Sequence, residues 1–168
     1  MERKKNIVLI GMPGAGKSTV GVVLAKKAGY HFVDSDLVIQ DETGKLLHEL
    51  IGEHGLKGFL AIENRINAQL DCQKAVIATG GSVIYGSEAM EHLREIGTVV
   101  YLKLSYSEID NRLGDLTARG VAMQPGMTLL DLYNERCPLY EKYAHIVVEC
   151  DGKIVREVVE EVSGQLGI

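Results

Sequence analysis

The sequence predicts an α/β fold, a three-layer doubly wound sheet of five parallel strands, on three observations. Short apolar runs alternate with helical stretches along the whole chain. The first runs are apolar throughout rather than alternating, as in strands covered on both faces. The first run also ends in a glycine-rich turn that opens a helix. That run is Asn6–Ile10, the expected central strand. Helical spacing follows over residues 19–28 and stops at Gly29. Phe32-Val33 leads a second strand into Asp34-Ser35-Asp36, where Ser35 or Asp36 is placed to cap a helix over 37–43 that Gly44 closes.

Residues 46–51 and 59–70 read as two helical pieces separated by the stretch 52–58. Ala75–Ala78 and residues 98–102 are further strands, with a helix over Ser87–Ile96 between them. Residues 114–126 hold three glycines, a proline and Arg119 without periodicity and read as a long mobile loop. A helix over Leu129–Tyr143, a strand at 146–148 and a helix over 154–166 complete the pattern. In such a sheet the ligand site is expected beyond the carboxyl ends of the strands.

Length and composition set the class. A chain of 168 residues without a linker is expected to form one domain around one core. With 46% hydrophobic and 24% charged residues it can bury a core, which excludes disorder. A net charge of -5 with intermingled signs argues against nucleic acid or an anionic membrane surface as partner. No apolar run approaches transmembrane length. Cys72, Cys137 and Cys150 are odd in number and widely spaced, which indicates neither a disulfide framework nor a zinc site and suits a reducing cytoplasm.

Residues Gly11-Met12-Pro13-Gly14-Ala15-Gly16-Lys17-Ser18 match G-x-x-x-x-G-K-[ST] between a strand and a helix. Glycines there let backbone N–H groups turn toward phosphate oxygens, and the helix N-terminus adds positive charge. Gly14, Ala15, Gly16, Lys17, Ser18 and Thr19 are therefore the expected ATP-binding residues. Lys17 would reach the β- and γ-phosphates and the Ser18 hydroxyl would be a Mg²⁺ ligand. No N-K-x-D motif is present, and the D-x-x-G match at Asp41 to Gly44 sits at a helix end, which argues against a GTPase. The strands at 75–78 and 98–102 lack a terminal acidic residue, so the acidic groups of the site are expected from Asp34-Ser35-Asp36. Asp34 would face the metal and Asp36 the acceptor hydroxyl, as base or orienting group.

Beyond the loop, the chain resembles the shikimate kinase family, within the nucleoside-monophosphate-kinase-like fold group. The resemblance rests on Gly11 to Thr19 with Gly21 and Leu24-Ala25, Phe32-x-Asp34-x-Asp36, Gly44 with Leu47 and Glu49, and Gly55-x-x-x-Phe59-x-x-x-Glu63. It continues through Ala78-Thr79-Gly80-Gly81, Tyr101-Leu102, Arg112, and Arg136-x-Pro138-Leu139-Tyr140 with Ala144. It implies a single kinase domain over 1–168 with a mobile lid at about 113–127 and an acceptor-binding helical region at about 36–64, acting as a monomer on a small hydroxyl acceptor. Carried over by position, Lys17, Asp36 and Arg119 are catalytic, Arg119 as the lid arginine, and Arg112 lies near adenine. Asp36, Gly80, Gly81 and Arg136 bind the acceptor, Arg136 through its carboxylate.

Three departures concern the acceptor and the lid. The family's F-R-x-x-E reads Phe59-Leu60-Ala61-Ile62-Glu63, so leucine replaces an arginine that grips the acceptor carboxylate. The glycine triplet reads Gly80-Gly81-Ser82, and the lid's R-P-L-L run reads Arg119-Gly120-Val121-Ala122. The resemblance still implies transfer of the ATP γ-phosphate to a hydroxyl of shikimate, with Arg136 and Lys57 or Arg65 in place of the missing arginine; the alternatives are a related enzyme with another polyol or hydroxy-acid acceptor, or a nucleotide-sensing module without transfer chemistry. A nucleoside-monophosphate kinase shares the fold, but no base-binding region stands out.

Overall fold

A computed structural model of the chain describes residues 6–113 and 121–168. Its strands are β1 (Asn6–Ile10), β2 (His31–Asp34), β3 (Ala75–Ala78), β4 (Gly97–Lys103) and β5 (Ile146–Glu149). All neighbours pair in parallel, in the order β2-β3-β1-β4-β5. The helices are α1 (Lys17–Ala28), α2 (Ser35–Thr43), α3 (Leu47–Ala68), α4 (Ser87–Ile96), α5 (Tyr106–Arg112), α6 (Leu129–Tyr143) and α7 (Val155–Leu166). Every residue of β1 and β3 is buried, as their unbroken apolar runs require of strands covered on both faces. Parallel pairing places the carboxyl ends of β1, β2 and β3 on one rim, with the loop after β1, the Asp34 end of β2 and the glycines after β3 side by side.

The opposite rim is pinned by one amide. Asn6, 2% exposed, donates through Nδ2 to the carbonyls of Cys72 (2.9 Å) and Ile96 (3.0 Å), while its Oδ1 accepts from the Ala75 N–H at 3.0 Å. Backbone groups at the entry to β3 and β4 are satisfied from a single β1 side chain, which holds the three strands in register.

The sheet and its flanking helices share one core, which includes Leu9, Ile77, Val100, Leu24 and Tyr140. A second, smaller cluster of Ile39, Leu50, Phe59, Ile66 and Ala122 joins α2 to α3.

The two helical pieces expected at 46–51 and 59–70 are present as the two segments of α3, which meet at a break at Gly55, whose φ of 71° and ψ of 175° only glycine adopts readily. Three local features differ from the sequence expectation. The cap of α2 is Asp34, whose Oδ1 accepts from the Asp36 N–H at 3.0 Å, rather than Ser35 or Asp36, which lie inside the first turn. Two elements went unforeseen: α5, capped by the Ser105 hydroxyl, and a 3-10 turn at Val83–Tyr85. Of the expected lid, residues 114–120 with Arg119 lie outside the described residues, and 121–128 carry neither helix nor strand.

Candidate active site

Gly14 and Gly16 hold φ of 82° and 89°, a left-handed backbone that side-chain-bearing residues rarely adopt, and α1 begins directly at Lys17. The loop wraps the helix N-terminus, where unpaired N–H groups and the helix dipole favour anionic phosphate. Lys17 is 8% exposed and donates through Nζ to the carbonyls of Gly11 (2.6 Å) and Met12 (2.9 Å). Burial is the main cause that pulls its ammonium down to about 8, with Asp36 opposing. A buried ammonium whose hydrogen-bond partners among the described residues are neutral carbonyls is a ready site for phosphate charge.

Across the helix start, the Ser18 hydroxyl donates to Asp34 Oδ2 at 3.4 Å, so the two expected metal ligands face one another. Asp34 thereby has two tasks, one oxygen capping α2 and the other turned to Ser18. Among the described residues no group of three or more His, Cys, Asp or Glu gathers as a cage. One hydroxyl beside one carboxylate fits Mg²⁺, which keeps several waters and shares its shell with substrate phosphates. Arg112, expected near adenine, donates through Nη1 to the Gly14 carbonyl at 3.1 Å and through Nε to Glu108 at 3.2 Å. It reaches the phosphate loop because α5 ends against it.

Phosphate loop and acceptor side line one cavity of about 330 Å³, which Lys17, Ser18, Asp36, Glu63, Gly80 and Arg136 share. Gly80 is its floor. A Cβ added there would lie 2.7 Å from Asp36 Oδ1 and 3.0 Å from Glu63 Oε2, so the two carboxylates approach the same backbone atom from α2 and α3. Burial, then the neighbouring Asp34, pushes the Asp36 carboxyl up to about 6. Burial likewise takes Glu63, 2% exposed, up to about 7. Gly80→Ala is expected to force both carboxylates aside and lower kcat/KM for the acceptor by about 10²-fold, with KM for ATP little changed; steady-state kinetics on both substrates checks it.

Arg136 forms the far wall. It is 1% exposed, donates through Nη2 to the Ala122 carbonyl, and lies 5.5 Å from the centre of the Tyr85 ring. Its Nε has no hydrogen-bond partner among the described residues. A buried guanidinium with a free donor calls for an anion. Gly81 makes room for it, since a Cβ there would meet Arg136 Nη1 at 2.9 Å and Pro13 Cδ at 2.9 Å. The Tyr140 hydroxyl donates to the Gly81 carbonyl at 2.6 Å and fixes that turn.

The fold thus gathers Gly14, Gly16, Lys17, Ser18, Thr19, Asp36, Gly80, Gly81 and Arg136 around one cavity, with Asp34 and Arg112 at its edge and Ala15 buried in the loop. Arg119 lies outside the described residues. Leu60 packs into the second cluster and is absent from the cavity wall. Glu63, a matching residue of the family motif, and Ser82, a departure from it, also line the cavity; the signal for Glu63 is a carboxylate on the same helical face as Phe59 and Ile66.

Residues 13–166 match the family model described as shikimate kinase. A shikimate kinase of Thermodesulfovibrio yellowstonii is 38% identical over 161 residues, covering 94% of this chain and 92% of that protein. Among solved structures, a shikimate kinase from Acinetobacter baumannii in complex with shikimate superposes with a TM-score of 0.87 at 32% identity, covering 97% of this chain and 93% of that one. A deoxyadenosine kinase from M. mycoides, at 16% identity and a TM-score of 0.62 over 96% of this chain and 98% of its own, shares the fold.

Proposed function

The chain belongs to the shikimate kinase family, and on that footing we propose that its cavity moves the γ-phosphoryl group of ATP onto a hydroxyl of shikimate. The observation that carries this reading is the shared cavity, in which Lys17 and the buried Arg136 line a pocket floored by Asp36 and Gly80. A phosphate at one end and a carboxylate at the other would each find a buried cation, and the hydroxyl between them would find a carboxylate.

Transfer of this kind depends on positioning and charge stabilisation. The acceptor oxygen bonds to the γ-phosphorus as the bond to the leaving ADP oxygen breaks. Asp36 accepts the hydrogen bond of the attacking hydroxyl and holds it toward the phosphorus, while Lys17 exchanges its loop carbonyls for phosphate oxygens. Ser18 and Asp34 would hold Mg²⁺, which when bound supplies charge neutralisation on the phosphates. Arg112 would border the nucleoside and Arg119 would act from the lid. Three free cysteines suit a reducing cytoplasm, and no helix among the described residues is long and apolar enough to cross a membrane.

The test is coupled ADP release with shikimate beside a panel of polyols, hydroxy acids and nucleoside monophosphates. Shikimate is expected to give the largest stimulation. Preference for another member of the panel, or no stimulation with ATP binding intact, overturns the reading. Leu60→Arg is expected to raise kcat/KM for shikimate by about tenfold or less, because it returns a charge-assisted donor to the acceptor side; an unchanged value assigns carboxylate recognition to Arg136 without help from position 60.

A further inference from the structure

Two departures from the family pattern meet at one side chain. Glu63 is a buried carboxylate on α3, and none of the ion pairs among the described residues includes it. Leu60 sits one turn earlier on the same helix, a spacing at which side chains are neighbours, and its apolar side chain packs beside the second cluster instead. Ser82 stands where the pattern has a third glycine. It is 6% exposed, and its hydroxyl donates to Glu63 Oε1 at 2.7 Å, the one side-chain donor that the Glu63 carboxylate has among the described residues. The other oxygen, Oε2, faces Gly80 opposite Asp36 Oδ1.

We propose that Ser82 is a positioning residue for the acceptor: in place of an arginine at position 60, its hydroxyl anchors Glu63 so that the second carboxylate oxygen faces the acceptor over Gly80. The loss of a cation beside Glu63 and the gain of a hydroxyl on it are then one compensated change. A buried carboxylate stripped of its donors takes up a proton or swings away. Burial is the first cause that raises Glu63, and Asp36 on α2 adds to it; the Ser82 bond, Arg136 on α6 and Lys17 on α1 oppose it. Removing the hydroxyl shifts Glu63 further toward its protonated form and turns a hydrogen-bond acceptor of the pocket into a donor. Hydroxyls of a polyol that had donated to Oε2 lose their partner.

This inference rests on the proposed shikimate site, so its test has one arm that needs no acceptor. In the empty protein, the Glu63 carboxyl is followed by carbon-13 NMR through a pH titration, assigned with Glu63→Gln. Ser82→Ala is expected to raise its midpoint, Ser82→Thr to keep it, and Leu60→Arg to lower it. In the kinetic arm, Ser82→Ala raises KM for shikimate about tenfold, the size of one hydrogen bond to a charged group, with kcat less affected, KM for ATP unmoved and the pH dependence of KM following the new midpoint. Leu60→Arg recovers more in the Ser82→Ala background than in the wild type. An unmoved Glu63 midpoint in folded Ser82→Ala, or an equal effect of Leu60→Arg in both backgrounds, overturns the inference. A wild type inactive on shikimate overturns the functional reading alone, because the titration still decides the role of Ser82.

Discussion

Lys17→Ala lowers kcat on the order of 10³-fold, the loss expected when a preorganised charge is removed from developing negative charge in an enclosed site. An ammonium 8% exposed is held by two carbonyls, and burial takes it down to about 8. Phosphate restores the missing charge, so the interaction is strongest where the transferring group is most negative. Truncation also frees the Gly11 and Met12 carbonyls, yet the loop keeps its shape through its glycines and the start of α1, so nucleotide affinity falls less than turnover. Single-turnover kinetics beside ATP titration separates the two, and a variant that retains wild-type turnover removes Lys17 from the mechanism.

Asp36→Asn lowers kcat by about 10²–10⁴-fold, the range for a positioned acid or base, and at the same time stabilises the empty protein. An amide keeps the shape of the carboxylate but accepts less strongly and cannot take the hydroxyl proton. The stability effect follows from linkage. Burial and Asp34 raise the Asp36 carboxyl in the folded state from 3.8 to about 6. A group raised on folding contributes stability that is full below its unfolded value and lost as pH rises through its folded value. At neutral pH the ionised Asp36 is thus a liability of about 3 kcal/mol, and asparagine removes it. Thermal unfolding in EDTA is expected to show a higher Tm for Asp36→Asn at pH 7 to 8 and no advantage near pH 4. A lower Tm at neutral pH, or the same difference at both ends, contradicts the assignment.

How far the molecule was legible from its residues depended on whether the signal was local. β1, the phosphate loop and α1 were readable because an apolar run, a fixed glycine spacing and a helical period lie within a few residues of one another. The helix at Leu129–Tyr143 was readable by period even through Pro138. By contrast, α5 spans seven residues, too few to establish a period, and only Ser105 and Glu108 marked its start. The cap of α2 was misassigned because three polar residues in a row all suit that position, and the choice of Asp34 depends on where β2 ends. Arg136 followed from family resemblance, since nothing within α6 shows that one arginine is the buried one. The Glu63 and Ser82 pair lies 19 positions apart and exists only once α3 packs against the turn after β3.

The small cluster of Ile39, Leu50, Phe59, Ile66 and Ala122 makes the packing of α2 against α3 a unit of its own. Its apolar contacts are largely its own, while the phosphate loop is held by the large core beneath the sheet. Substitutions such as leucine at position 60 are absorbed in that minor cluster without strain on the strands. A change of side chain in the minor cluster can therefore be accommodated while the packing beneath the phosphate loop stays as it is.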